Sequence, residues 1–251
     1  MNLYALETHL NQLLNIDKFR DYAPNGLQIE GRAQVQTIVT GVTASQQLLD
    51  AAVEHGADAV LVHHGYFWKG ESPVIRGMKK RRIATLLQHD ISLFGYHLPL
   101  DAHPELGNNA QLARLLGIQI GGVMDERELQ GVGNIGCLPE AQSLQAFGQQ
   151  VAKVLGREPL LISAGDKPVS KIAWCTGGGQ GYIQQAFEAG VDAYLSGEIS
   201  EHTVHFAREN GIHYIAAGHH ATERYGIRAL GDYLAATFDL KHVFLDCDNP
   251  V

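Results

Sequence analysis

The chain has 251 residues, enough for one large α/β domain or two of ordinary size, and its 45% hydrophobic and 18% charged residues describe a folded globular protein rather than a disordered one. A balance of 27 acidic against 19 basic residues leaves a formal charge of −8, which argues against non-specific binding to nucleic acid or to an acidic membrane, because phosphate contacts need a basic face. Three widely spaced cysteines (Cys137, Cys175, Cys247) make neither a disulfide framework nor a thiolate metal knuckle.

From the N-terminus, Leu3, Leu6, Leu10, Leu13 and Leu14 fall on one face of a helix over 2–15. This segment lacks the basic start and unbroken apolar core of a signal peptide, and no apolar run approaches the ~20 residues of a membrane span, so the expectation is a cytoplasmic protein with no membrane partner. A Pro/Gly/Asn-rich loop, "DYAPNGLQIEG", follows. Next come strand 36–42, helix 45–55, strand 58–62, helix 78–89, strand 91–97 and a helix over 109–116 that ends at Gly117. The one basic run, "MKKRR" at 78–82, reads as the solvated face of its helix. Strands alternating with helices imply βαβ units and a largely parallel sheet.

The second half repeats the first. "VQTIVTGVTASQQLLDAAVEHGADAVLV" from Val35 and "VSKIAWCTGGGQGYIQQAFEAGVDAYLS" from Val169 align without a gap over 28 residues, pairing Asp58 with Asp192 and Gly56 with Gly190. Further on, "YHLPLD" matches "GHHATE", so that His97 meets His219 and Asp101 meets Glu223. The expected architecture is therefore two similar α/β domains arising by internal duplication, 1–125 and 126–251, with the final segment free to pack back on the first domain.

The 13 histidines cluster with carboxylates. "DAVLVHHGYFWKG" places His63 and His64 at the end of an apolar strand. Successive strand side chains point to opposite faces, so both can serve one site only where the strand is turning. Pro99 keeps His97 and Asp101 on a loop after the next strand. Thr222 is a good N-cap for the last long helix, placing Glu223 in its first turn behind His219 and His220. Strand C-terminal ends are where open α/β folds put ligands. Imidazole and carboxylate donors suit Zn, Fe, Mn, Co or Ni. These seven candidates exceed what one tetrahedral ion needs, and two ions ~3.5–4 Å apart in the cleft between the domains would use them better, His63 and His64 each binding a different one. The "CTGGGQGY" loop fits either phosphate binding or tight packing. In the repeat, Gly197 and Glu198 stand where the first copy has His63 and His64, so the second copy lacks those ligands. Glu198, Glu201 and His202 fit a pocket lining or a surface helix equally.

"DYAPNGLQIEG", "TGVTAS", "DAVLVHHGYFWKG", "HLPLDAHPELGNN" and "AAGHHATERYGIRAL" together resemble the GTP cyclohydrolase I type 2 homologue family, the YbgI-like dinuclear-metal proteins, over essentially the whole chain and in its short form. The resemblance implies metal ligands at His63, His64, Asp101, His219 and Glu223, with Glu223 bridging two divalent ions and His97 beside the site. It also implies a ring-shaped homohexamer, a trimer of dimers. The activity implied is a metal-activated water attacking a nucleotide or related small molecule, with His97 or His220 as general acid or base. A non-enzymatic metal-handling or regulatory protein is the alternative, and a toroidal nucleic-acid binder is disfavoured by the charge.

Overall fold

The computed structural model describes residues 1–125 and 131–251. In chain order it contains α1 (Leu3–Leu13), β1 (Gly26–Ile29), β2 (Thr37–Thr43), α2 (Gln46–Glu54), β3 (Ala59–His64), α3 (Gly77–Gln88), β4 (Ser92–Gly95), α4 (Leu98–Ala102), α5 (Asn108–Leu116) and β5 (Gln119–Val123). There follow β6 (Asn134–Gln142), α6 (Leu144–Leu155), β7 (Leu160–Ile162), β8 (Val169–Cys175), α7 (Ile183–Glu188), β9 (Ala193–Ser196), α8 (Glu201–Asn210), β10 (His213–Ala216), α9 (His219–Phe238) and β11 (Lys241–Phe244). Helix starts follow local chemistry: Asn2 caps α1 and Ser45 caps α2, each side-chain oxygen accepting backbone N–H groups of the first turn.

The fold is α/β with two sheets. Two compact units divide the chain: Met1–Leu100 with Gly226–Asp248, and Asp101–Tyr225 with Asn249–Val251. The chain thus passes between units three times rather than once near residue 125, and the expected cut at 125/126 borders residues 126–130, which lie outside the described residues. In the first unit the strand order is β1-β4-β3-β2-β11, parallel except for antiparallel β1. β11, from the C-terminal segment, supplies one edge. Val39, Val60 and Val62 of the central strands pack with Leu48, Leu49, Ile83 and Leu86 of α2 and α3. In the second unit the order is β5-β6-β8-β9-β10-β7, with β8, β9 and β10 parallel and the outer strands antiparallel. Here Ile172, Trp174, Leu195 and Ile215 pack with Phe147 and Val151 of α6.

The aligned segments take the same local structure. Asp58 Oδ2 accepts the backbone N–H groups of Gln36 and Thr37 at 2.8 and 2.9 Å. Asp192 Oδ2 accepts those of Ser170 and Lys171, the aligned residues, at 3.0 and 2.8 Å. Each aspartate pins the start of one parallel strand, β2 or β8, to the start of the next. Lys167 pairs with Asp192 and Arg32 with Asp58.

Three local expectations are corrected. Residues 26–29 of the "DYAPNGLQIEG" loop form β1, because an antiparallel edge strand needs only a short stretch and Gly26, at φ 113°, turns the chain into it. Asp101 lies on the short helix α4, not on a loop, since Pro99 occupies the first turn, where no intrahelical N–H is missed. α9 begins at His219, so Thr222 is inside the helix rather than its cap. Its hydroxyl donates to the Gly218 carbonyl at 2.8 Å and accepts the Gly177 N–H at 3.0 Å.

Candidate metal centre

Three imidazoles meet in the first unit. His63 and His64 end β3, and His97 follows β4, the neighbouring parallel strand. One ligating atom from each lies within 4.8 Å of the others. Each ring is fixed through Nδ1. His63 Nδ1 donates to the Tyr96 carbonyl at 2.9 Å, His97 Nδ1 donates to Asp21 Oδ1 at 2.7 Å, and His64 Nδ1 lies 3.1 Å from Thr43 Oγ1. A neutral imidazole whose Nδ1 donates carries its lone pair on Nε2, the arrangement by which proteins orient a ligating histidine. Trp68, from the loop after β3 that the second half shortens, packs against the His97 and His64 rings at 5.0 and 5.9 Å between centroids.

Asp21 anchors more than a ring. Its Oδ2 also accepts the Leu98 N–H and the Asn25 amide, both at 2.9 Å. Burial alone would raise its pKa, but the bonds from His97, Asn25 and the Tyr22 N–H outweigh burial and bring it down to about 2.

The second unit gathers His219, Glu223, Glu198 and Asp101. His219 and Glu223 are four residues apart on α9, hence on one face, with Nε2 and Oε2 3.2 Å apart. His219 Nδ1 donates to Glu198 Oε1 at 2.6 Å. Burial works to lower the His219 pKa, but the carboxylates of Glu223 and Glu198 prevail and raise it to about 9, so the surroundings favour a positive charge at this ring. Gly177, at φ 64°, crosses directly behind: a Cβ there would strike Glu223 Oε1 and come within 3.1 Å of His219 Nε2. Asp101 is buried, its Oδ1 accepting from Asn108 Nδ2 at 2.9 Å and Thr176 Oγ1 at 3.3 Å. Burial pushes the neighbouring Cys175 thiol up, with Asp101 and Glu223 adding to the effect, so no thiolate competes with the nitrogen and oxygen donors. In each unit the donors are of the kind a borderline divalent ion takes, and hydrogen-bonded partners stand behind the rings of His63, His64, His97 and His219, so the residues fit the implied metal.

Among the remaining candidates, His220 is buried, and its backbone N–H donates to the Val251 carbonyl. Glu201 and His202 are exposed on α8 and read as a surface helix. In the glycine loop, packing accounts for Gly177 and for Gly179, whose Cβ would meet Cys175 at 2.7 Å. Asp21, Thr43, Asn108 and Thr176 escape sequence reasoning, since a lone polar residue in a loop carries no periodicity. The proline and glycine that flag "DYAPNG" are the one available sign that its backbone has a fixed task.

An α/β chain with imidazoles and carboxylates gathered at parallel-strand ends belongs to the candidate metal-binding class. A family model described as Duf34/NIF3 (NGG1p interacting factor 3) matches residues 1–250, and the chain belongs to that family. A protein of Pseudomonas aeruginosa named GTP cyclohydrolase 1 type 2 homolog is 60% identical over 248 residues, covering 99% of this chain and 98% of its own. Among solved structures, protein ybgI, described as of unknown function, superposes with a TM-score of 0.96 at 56% identity over the whole of both chains. Protein TTHA1606 from Thermus thermophilus superposes at 0.91 and 35% identity, also over the whole of both. The resemblance expected from the motifs is thereby established. Among the described residues, no helix is long and apolar enough to cross a membrane.

Proposed function

We propose that this protein is a hydrolase dependent on two divalent metal ions, which His63, His64, Asp101, His219 and Glu223 would hold. The observation that carries the reading is the group of three imidazoles within 4.8 Å, each held at Nδ1. Three nitrogen donors converging within reach of one another are the arrangement that a borderline divalent ion takes. Bound divalent ions would supply Lewis acidity toward water and toward the electrophile.

The chain's own residues supply the rest. Tyr96, Thr43 and Glu198 hold the rings of His63, His64 and His219, so that little ordering is left for the moment of binding. His97, backed by the Asp21 carboxylate, can take a proton at Nε2 and return it, as a general acid–base requires. His220 is the second candidate for that role. The substrate in this reading is a nucleotide or related small molecule, in line with the name borne by the relatives. The native assembly is a cytoplasmic homohexamer, a trimer of dimers.

Metal content per chain, measured on untagged protein beside a His63→Ala/His64→Ala variant, tests the metal reading. About two ions in the wild type and a sharp loss in the variant are expected, followed by turnover of purine nucleotides that the variant lacks. Bound metal with no hydrolysis across nucleotides would leave a metal-handling protein instead. No bound metal after reconstitution would remove both.

A further inference from the structure

The glycine loop between β8 and α7 contains a side chain that neither packing nor the ligand set explains. Gln180 Nε2 donates to Glu198 Oε2 at 3.2 Å, while Glu198 Oε1 accepts from His219 Nδ1 at 2.6 Å. We propose that Gln180 and Glu198 form a positioning pair that fixes the ring of His219 for metal binding: the amide holds the carboxylate, and the carboxylate holds Nδ1. The inference rests on the reading of His219 as a ligand.

Three observations support it. First, Gln180 Oε1 is buried, and among the described residues no donor reaches it. A buried acceptor left unsatisfied is costly, so a leucine or methionine would suit the position better if only packing mattered. The bond to Glu198 is what the amide provides. Second, the Glu198 side chain is 37% exposed and, without an anchor, would have rotamer freedom toward water. Its backbone, by contrast, is fixed: its N–H donates to the Gly177 carbonyl at 3.2 Å and its carbonyl accepts from the buried Tyr214 hydroxyl. Only the carboxylate needs holding, and Gln180 is placed to hold it.

Third, the aligned position in the first half is His64, whose Nδ1 faces Thr43 Oγ1. The position aligned with Thr43 is Gly177, where any side chain would strike Glu223. The second unit therefore has neither the imidazole nor the hydroxyl of this pair, and a carboxylate stands in the place of the His64 ring. That carboxylate, free of an imidazole's own role, is turned to His219 Nδ1 and braced from the loop by Gln180.

Cobalt(II) binding, followed by its visible absorption, tests the pair in the full chain. Gln180→Glu sets two carboxylates against each other and should weaken cobalt binding about 10–100-fold, as loss of a ligand's hydrogen-bonded support commonly does. Adding Glu198→Gln to it restores a donor–acceptor match, with the amide now at 198 and the carboxylate at 180, and should recover most of the loss. A purely structural role would make the double variant worse than the single one. Gln180→Met, which removes the amide at little change in volume, should weaken binding to a similar extent. Wild-type affinity in Gln180→Met, or no recovery in the double variant, overturns the proposal while leaving the metal reading intact. Absence of cobalt binding by the wild type overturns both.

Discussion

Gly177 sets the tightest constraint on any single residue near the candidate ligands. Its φ of 64° is a region that residues with a Cβ enter at a cost of about 1 kcal/mol or more, and the added Cβ would overlap Glu223 Oε1. Gly177→Ala should therefore fold, at reduced stability, but bind divalent metal at least roughly tenfold more weakly, because Glu223 and His219 must both move. Metal titration alongside circular dichroism would separate the two effects, and unchanged affinity would mean that Glu223 is no ligand.

Asp21 gives a pH-dependent counterpart. Its folded-state pKa of about 2 lies below the ordinary carboxylate value, so its contribution to stability is present above about pH 4 and is lost as the pH falls toward 2. Asp21→Asn should cost on the order of 2 kcal/mol at pH 7, and the gap to wild type should close in acid. Denaturant unfolding at pH 7 and pH 3 would show it, and a gap independent of pH would assign the cost to packing. Nothing in the sequence marks Asp21 as a partner of His97, 76 residues away, because hydrogen bonds across a fold leave no local pattern.

At the scale of elements, the two strand-start aspartates make the clearest comparison. Asp58 and Asp192 each accept two backbone N–H groups through one oxygen. Asp58→Ala and Asp192→Ala should each destabilise the protein by about 2 kcal/mol, by leaving the same pair of amides without an acceptor. A large difference between the two in urea unfolding would show that the matched geometry hides different energetics. The correspondence of these aspartates is legible in the sequence, since the gapless alignment of the two halves pairs them. The helices are legible too: α2, α3 and α5 lie within a residue or so of expectation because their apolar spacing and their ends, such as Gly117, are local signals. What failed was also local. Proline and threonine each suit a helix's first turn or its edge, so sequence alone did not distinguish Pro99 inside α4 from a loop, or Thr222 as a bridging hydroxyl within α9 from a cap. β11 pairs with β2 across some 200 residues of chain, a contact no window of sequence can register.

For the whole molecule, the candidate ligands stand out in the sequence because histidines beside carboxylates at successive strand ends are rare by composition alone. The groups that orient them are not. Metal binding is then a matter of linkage: an ion that binds the folded chain and not the unfolded one stabilises it by about 2.7 kcal/mol at a free concentration 100 times Kd. For a chain of this length that corresponds to a rise in Tm of roughly 5–10 °C. Cobalt or zinc added to chelator-stripped protein should produce such a shift, and His63→Ala/His64→Ala should lose most of it while unfolding near the wild-type temperature in chelator. Glu223→Gln, which replaces a proposed ligand oxygen with a neutral amide, should abolish the shift as fully as the double histidine variant does. A shift that survives Glu223→Gln but not the histidine changes would confine binding to the imidazole cluster of the first unit, and the count would fall from two ions to one.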